Sequence, residues 1–314
     1  MTSSRFERSN TANQHWNRSE RGRRITVEGR GFIRPESRFF AIGSCFAVEI
    51  RQALRARGRK VYPDYPAIAF DPATQMPGKL PERDNINHYD TFTIAQEIAR
   101  ALDRRRWQRE DFWQVGRFRF SQAKGWPLAF QDPHRRHIFS TSLEGVADLS
   151  DKVSATIDDG LSQSDIVILT LGLTEAWRIK ASGLYAALGP ENERDEILSR
   201  LEFRATGYRE NYDNVQATIE RIWAAYPDKT IVLSVSPVAL TRTWAGEDVV
   251  RANLQSKSTL RAVAGQIARD YSQIVYWPSY EYAMTGDVFR EDGMHVRSEV
   301  VDRIVAAFLD IHST

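Results

Sequence analysis

The stretch Phe39-Phe40-Ala41-Ile42-Gly43-Ser44-Cys45-Phe46-Ala47 changes its pattern halfway along. Its first four residues are an unbroken apolar run, the signature of a strand buried on both faces of a parallel sheet. Gly43 ends that run. From Phe46 the apolar positions fall at Phe46, Ile50 and Leu54, the spacing of one helical face, until Gly58 closes the segment. The chain therefore enters its core as strand, tight turn and helix.

The same order recurs downstream. Asp165-Ile166-Val167-Ile168-Leu169-Thr170-Leu171 ends at Gly172, Thr230-Ile231-Val232-Leu233-Ser234-Val235 ends at Ser236-Pro237, and Ile274-Val275-Tyr276-Trp277 ends at Pro278-Ser279. Helical periodicity alternates with these runs over 91–106, 145–162, 209–226, 254–270 and 298–311. Alternating strands and helices predict an α/β fold, a three-layer α/β/α sandwich around a mainly parallel sheet. Residues 1–36, rich in Arg, Asn and Ser, are expected to be a polar N-terminal extension, and 37–314 a single domain. Two stretches, 62–90 and 178–208, are long for connections in such a fold and are expected to be loop insertions that wall or cover a substrate site.

Composition removes several function classes. The 314 residues hold 43 Lys plus Arg against 41 Asp plus Glu, a balance that gives no general case for nucleic acid or a membrane surface. Arg104-Arg105-Arg106 reads as a solvated helix face. No apolar stretch is long enough for an integral membrane segment, and the opening MTSSRFERSN lacks the apolar centre of a secretory signal. A single cysteine permits no intramolecular disulfide, which fits a reducing compartment, so a cytoplasmic location is expected. His88, His134 and His137 make no metal-ligand pattern with Cys45, and no G-x-G-x-x-G follows a strand. Neither a metal nor any other cofactor is expected.

In open parallel sheets, ligands bind beyond the carboxyl ends of the strands. Four segments should converge there: Gly43-Ser44-Cys45, Gly172-Leu173-Thr174-Glu175, Ser236-Pro237-Val238 and Asp292-Gly293-Met294-His295. Cys45 falls at the start of a helix, where unpaired backbone N–H groups and the helix dipole favour an anion. A thiolate would be stabilised there, whereas an ordinary thiol with pKa ~8.5 is only slightly ionised at neutral pH. The bland reading is a small apolar residue packed beneath the helix. Asp292 and His295, three residues apart, can share one face of a helical turn. The carboxylate then fixes the imidazole tautomer and leaves the other nitrogen to take a proton.

In this order the segments resemble the GSCFA family, which is related to the SGNH (GDSL-like) hydrolases. The resemblance rests on Gly43-Ser44-Cys45-Phe46-Ala47, on Tyr62-Pro63-Asp64 with Pro66-Ala67-Ile68-Ala69, and on Asn87-His88-Tyr89-Asp90-Thr91-Phe92-Thr93. It continues through Ser234-Val235-Ser236-Pro237-Val238, Asn253 with Ser256-Lys257, Trp277-Pro278-Ser279-Tyr280-Glu281 and the Asp292–His295 pair. It implies a flavodoxin-like SGNH hydrolase fold, with Cys45 in the place of the usual serine nucleophile and Asp292 and His295 as acid and base. Thr174 and Glu175 then stand where the family of SGNH enzymes carries Asn and Asp, so Thr174 replaces the oxyanion Asn. The oxyanion glycine has no clear counterpart; Gly78 and the amides around Asn87, His88 and Tyr89 are the candidates, with Ser44 beside the nucleophile.

The implied activity is an esterase or O-acyltransferase that passes an acyl group, expected to be acetyl, through a Cys45 thioester. The expected substrate is a saccharide, with an acyl donor in the transferase case, and Tyr89, Trp177 and Tyr280 are candidates for stacking on sugar faces. Two other readings stay open: Ser44 as the nucleophile, or an SGNH-shaped glycan-binding protein without catalysis.

Overall fold

The computed structural model describes residues 6–8, 25–77, 86–104, 108–115, 129–135, 137–187, 195–284 and 288–314. Most of the 1–36 extension, Gly78, and Arg105 and Arg106 lie outside them. The first strand of the central sheet, β1 (Phe39–Gly43), leads through Ser44 into α1 (Cys45–Ala56), as the opening stretch requires. Then come β2 (Val61–Tyr62), α2 (Thr91–Leu102), α3 (Leu143–Gln163), β3 (Ile166–Leu171), α4 (Tyr208–Ala225), β4 (Thr230–Val235), α5 (Val249–Asp270), β5 (Val275–Tyr276) and α6 (Ser298–His312).

These five strands form one sheet in the order β2-β1-β3-β4-β5, and every neighbouring pair is parallel. This is the doubly wound, flavodoxin-like order. Alternate residues of each strand feed opposite faces. Phe40, Ile42, Val167, Leu169, Ile231 and Leu233 pack with α2 to α5, while Phe39, Ala41, Ile166, Ile168 and Val232 pack with α1 and α6. The outcome is the expected three-layer sandwich, its central strands buried on both faces.

Strands also lie where the sequence shows only irregular stretches. Gln75–Pro77, from before α2, and Trp113–Val115, Ala129–Gln131 and Ile138–Ser140, from between α2 and α3, form an antiparallel sheet. Glu175–Ile179, Tyr185–Ala186 and Leu201–Ala205 form a second one just after β3. Trp113, Val115 and Phe139 from the first sheet share an apolar cluster with Ile179, Ala186 and Leu201 from the second. Helix α5 begins at Val249 rather than 254, because the Asp248 side chain caps the backbone N–H groups of Val250 and Arg251.

Candidate active site

Strand order reverses between β1 and β3, so the crevice at their carboxyl ends is the topological switch point where such sheets bind ligands. Three backbone segments crowd into it. Gly43 has φ +144°, and a Cβ there would lie 2.2 Å from the Thr170 carbonyl oxygen. At Gly172 a Cβ would lie 2.4 Å from the Tyr89 carbonyl oxygen and 3.1 Å from Ser44 Cβ. Only glycine permits these approaches. The segment 86–90 is stitched across the same crevice: the His88 N–H donates to the Gly43 carbonyl at 2.8 Å and the Leu173 N–H to the Tyr89 carbonyl at 2.7 Å.

Cys45 is the first residue of α1 and is half-buried. Ser44 is buried and serves as the N-cap, its hydroxyl accepting the Phe46 N–H at 3.3 Å. Glu49 lies one turn along from Cys45, on the same face of α1. It pairs at 3.3 Å with Arg290, whose backbone N–H donates to the His295 carbonyl at 2.7 Å. The loop that carries His295 is thereby tied to the helix that Cys45 begins. Cys45, Phe289 and Met294 all pack on the apolar cluster between the sheet and the α1–α6 layer.

Within that loop Asp292 acts with both oxygens. Oδ1 accepts the backbone N–H groups of Met294 and His295, each at 2.8 Å, and Oδ2 lies 2.7 Å from His295 Nδ1. Gly293 supplies the positive φ, +67°, that the turn requires. The hydrogen bond from the His295 ring, followed by the two backbone bonds, holds the Asp292 carboxyl down to about 2. An ionised Asp292 fixes Nδ1 as the donor and leaves Nε2 as the acceptor.

The remaining sequence candidates divide. Thr174 is buried with its N–H donated to Ser256 Oγ at 2.8 Å, and its carbonyl accepts the Thr206 N–H and hydroxyl, so any contact with a ligand comes through its own hydroxyl. Glu175 points to the loop after β4, where it accepts from the Thr243 hydroxyl and the Trp244 N–H. The Asn87 amide donates to the Tyr89 hydroxyl at 3.2 Å. His88 is fully buried beside Glu97, its Nε2 3.6 Å from the carboxylate, and burial pushes its ring down to about 4, which keeps it neutral. Trp177 meets Phe203 and Trp244 at ring separations of 5.2 and 5.5 Å, with the Arg242 guanidinium 4.7 Å over Trp244. Tyr280 packs partly against the core cluster on the α2 to α5 side.

Sequence reasoning gave no role to Glu49, Arg290 or Trp244, and met Lys257 only as part of a motif. Lys257 is 1% exposed, and its Nζ donates to the Gly172 carbonyl at 2.7 Å. A lysine set in the apolar stripe with Leu260 and Ala264 is the signal that could have marked it. Among the described residues no group of three or more His, Cys, Asp or Glu side chains is placed to hold a metal ion, and no helix is long and apolar enough to cross a membrane.

A comparison with curated proteins gives no match. Among solved structures the chain is similar to the Clostridium thermocellum family 3 carbohydrate esterase, with 12% identity over 87% of this chain and 94% of that one and a TM-score of 0.34. It is also similar to a carbohydrate esterase family 3 protein from Talaromyces cellulolyticus, with 10% identity over 87% and 94% of the two chains and a TM-score of 0.36. A peptidoglycan O-acetylesterase matches at 11% identity over 87% and 89%, with a TM-score of 0.37. The GSCFA family model matches residues 38–308, which span the whole sheet and reach into α6, and the chain belongs to the GSCFA family.

Proposed function

We propose that the chain is an acyl-transfer enzyme, an esterase or O-acyltransferase that moves an acetyl group to or from a saccharide through a thioester on Cys45. The observation that carries this reading is the Asp292–His295 pair, formed on a loop that Arg290 ties to Glu49, one turn from Cys45 at the switch point of the sheet. Ser44 is the weaker nucleophile, because its hydroxyl is buried and engaged in capping α1.

In the first half-reaction His295 Nε2 takes the Cys45 proton, the sulfur bonds to the ester carbonyl carbon, and the carbonyl electrons move to oxygen. Collapse of that intermediate breaks the carbon–oxygen bond, and the imidazolium gives its proton to the departing alcohol. Water or a sugar hydroxyl then attacks the thioester while His295 takes its proton, and the Cys45 thiolate leaves and is reprotonated. Asp292 stays ionised throughout and stabilises the imidazolium. A saccharide is favoured by the ring cluster of Trp177, Phe203 and the exposed Trp244 that follows β3 and β4, since indole faces stack on the apolar faces of sugars.

The test is turnover of p-nitrophenyl acetate and of an acetylated oligosaccharide by the wild type and by Cys45→Ala, Ser44→Ala and His295→Ala. Loss of about a thousandfold in the Cys45 and His295 variants, with an acetyl adduct on Cys45 by intact mass, is expected. Full activity in Cys45→Ala would falsify the assignment.

A further inference from the structure

Helix α5 turns Leu260, Val263, Ala264 and Ile267 toward the sheet, all of them buried. One turn before Leu260 the same face carries Lys257, and a cation in such a place is strongly disfavoured unless something compensates it. Its hydrogen bond goes to the carbonyl of Gly172, the residue that lies against Ser44 in the crevice between β1 and β3. The neighbouring Ser256 holds the Thr174 N–H in the same loop. Lys257 therefore reaches from the helix layer to the floor of the crevice that Cys45 borders. Burial pulls its amine down to about 7, and a charge on the Cys45 sulfur pushes it back up. The other charged groups around the crevice have their own partners: Asp292 holds His295, Glu49 holds Arg290, Glu175 holds Thr243 and Trp244, Asp90 accepts the Phe92 and Thr93 N–H groups, and Arg51 donates to the Ala41 carbonyl.

We propose that Lys257 is a positioning residue for the nucleophile, its ammonium serving as the buried counter-charge that keeps Cys45 a thiolate. This rests on the reading of Cys45 as the nucleophile. The α1 N-terminus offers only about half a unit charge. A whole charge on a buried amine adds more, and it holds the sulfur as a thiolate once His295 has taken the thiol proton, which the imidazolium then carries to the leaving group.

The rate of iodoacetamide alkylation at Cys45 is measured against pH in the wild type, Lys257→Met and Lys257→Arg, each checked for a folded near-UV spectrum. The methionine variant should titrate about one unit higher, so that its rate at about pH 6.5 falls roughly tenfold, and arginine should restore most of the loss. A folded methionine variant with the wild-type pH profile overturns the proposal. Should that variant not fold, the reciprocal measurement decides, since coupling between two titrating groups is felt equally by both. Lysine labelled for NMR is titrated in the wild type and in Cys45→Ala. Removing the thiolate must lower the pH at which Lys257 loses its proton, and an unchanged titration overturns the proposal. Turnover reports separately: ester cleavage that depends on Cys45 with unshifted titrations keeps the function and rejects the pair, whereas shifted titrations with turnover that ignores Cys45 keep the pair and reject the function.

Discussion

Asp292 holds the turn and the imidazole at once, one oxygen for each task. An asparagine can still accept the backbone N–H groups through its amide oxygen, but it then turns an N–H₂ toward His295 Nδ1. The ring answers by moving its proton to Nε2, where it can no longer accept one from Cys45. Asp292→Asn should therefore lower kcat by about 10²–10⁴ while KM stays within a few fold. Its thermal midpoint should stay close to that of the wild type, because the pair is solvent-exposed and such pairs contribute little to stability. Steady-state ester kinetics beside a melting curve check both halves. The pH consequence has a definite sign. A carboxyl held at about 2 in the folded chain, against its ordinary 3.8, keeps its contribution above pH 4 and loses it only as pH falls toward 2. An acid limb in the rate profile above pH 4 must then come from a group other than Asp292.

At the scale of the element, the segment 86–90 carries a structural task beside its candidate ligand groups. Its Asn-His-Tyr run suggests ligand contacts, and its backbone also splints the ends of β1 and β3. Asp90 makes a bridge with Leu173 and caps α2 through the N–H groups of Phe92 and Thr93. His88 faces inward, where Arg135 makes a two-pronged contact with Glu97 and donates to Ser150 and Ser154. Burial, then the charges of Arg135 and Arg51, push His88 down against the upward pull of Glu97. An unfolded histidine takes its proton near pH 6.5, whereas His88 in place resists until about 4, so the unfolded chain binds more protons between those values. Stability that is full above pH 6.5 should fall by on the order of 3 kcal/mol as pH drops to 4. Urea unfolding of the wild type and His88→Gln, followed from pH 7 to 4, tests this: the gap between the two should shrink toward acid. A constant gap would place the histidine's proton elsewhere. Nothing in the sequence tells a histidine that faces a buried ion pair from one that faces a substrate, because both sit in a polar run between apolar segments.

At the scale of the whole molecule, the layers were legible and the additions were not. The central strands announce themselves because burial on both faces demands unbroken apolar runs, as in Ile166–Leu171, and the helices because one face must match the sheet. Trp113-Gln114-Val115 and Ala129-Phe130-Gln131 are too short to establish any period, and only pairing with distant partners makes them strands. The Asp292–His295 pair was readable since it is local in sequence, but the Glu49–Arg290 tie joins residues on opposite ends of the chain and leaves no local trace. That long closure suggests where the fold and the site depend on each other. Strand β1, α1 and the His295 loop all rest on the layer completed by α6, and Phe308 sits at its centre, 5.2 Å from Trp277 and 5.3 Å from His312 between ring centroids. The chain before β1 closes over the same place, with the Ile33 N–H donating to the His312 carbonyl at 3.0 Å and the Thr314 N–H to the Ile33 carbonyl at 3.0 Å. Phe308→Ala removes a ring from this layer and should destabilise the chain by about 3–5 kcal/mol, the usual cost of a large core cavity. Because α1 packs against α6 as well as against the sheet, the loss should reach Cys45. Thermal inactivation of ester turnover and the thermal rise in Cys45 alkylation should move down in temperature together with the unfolding midpoint. A site that outlived the melting of this layer would mean that α1 is held by β1 and β3 alone.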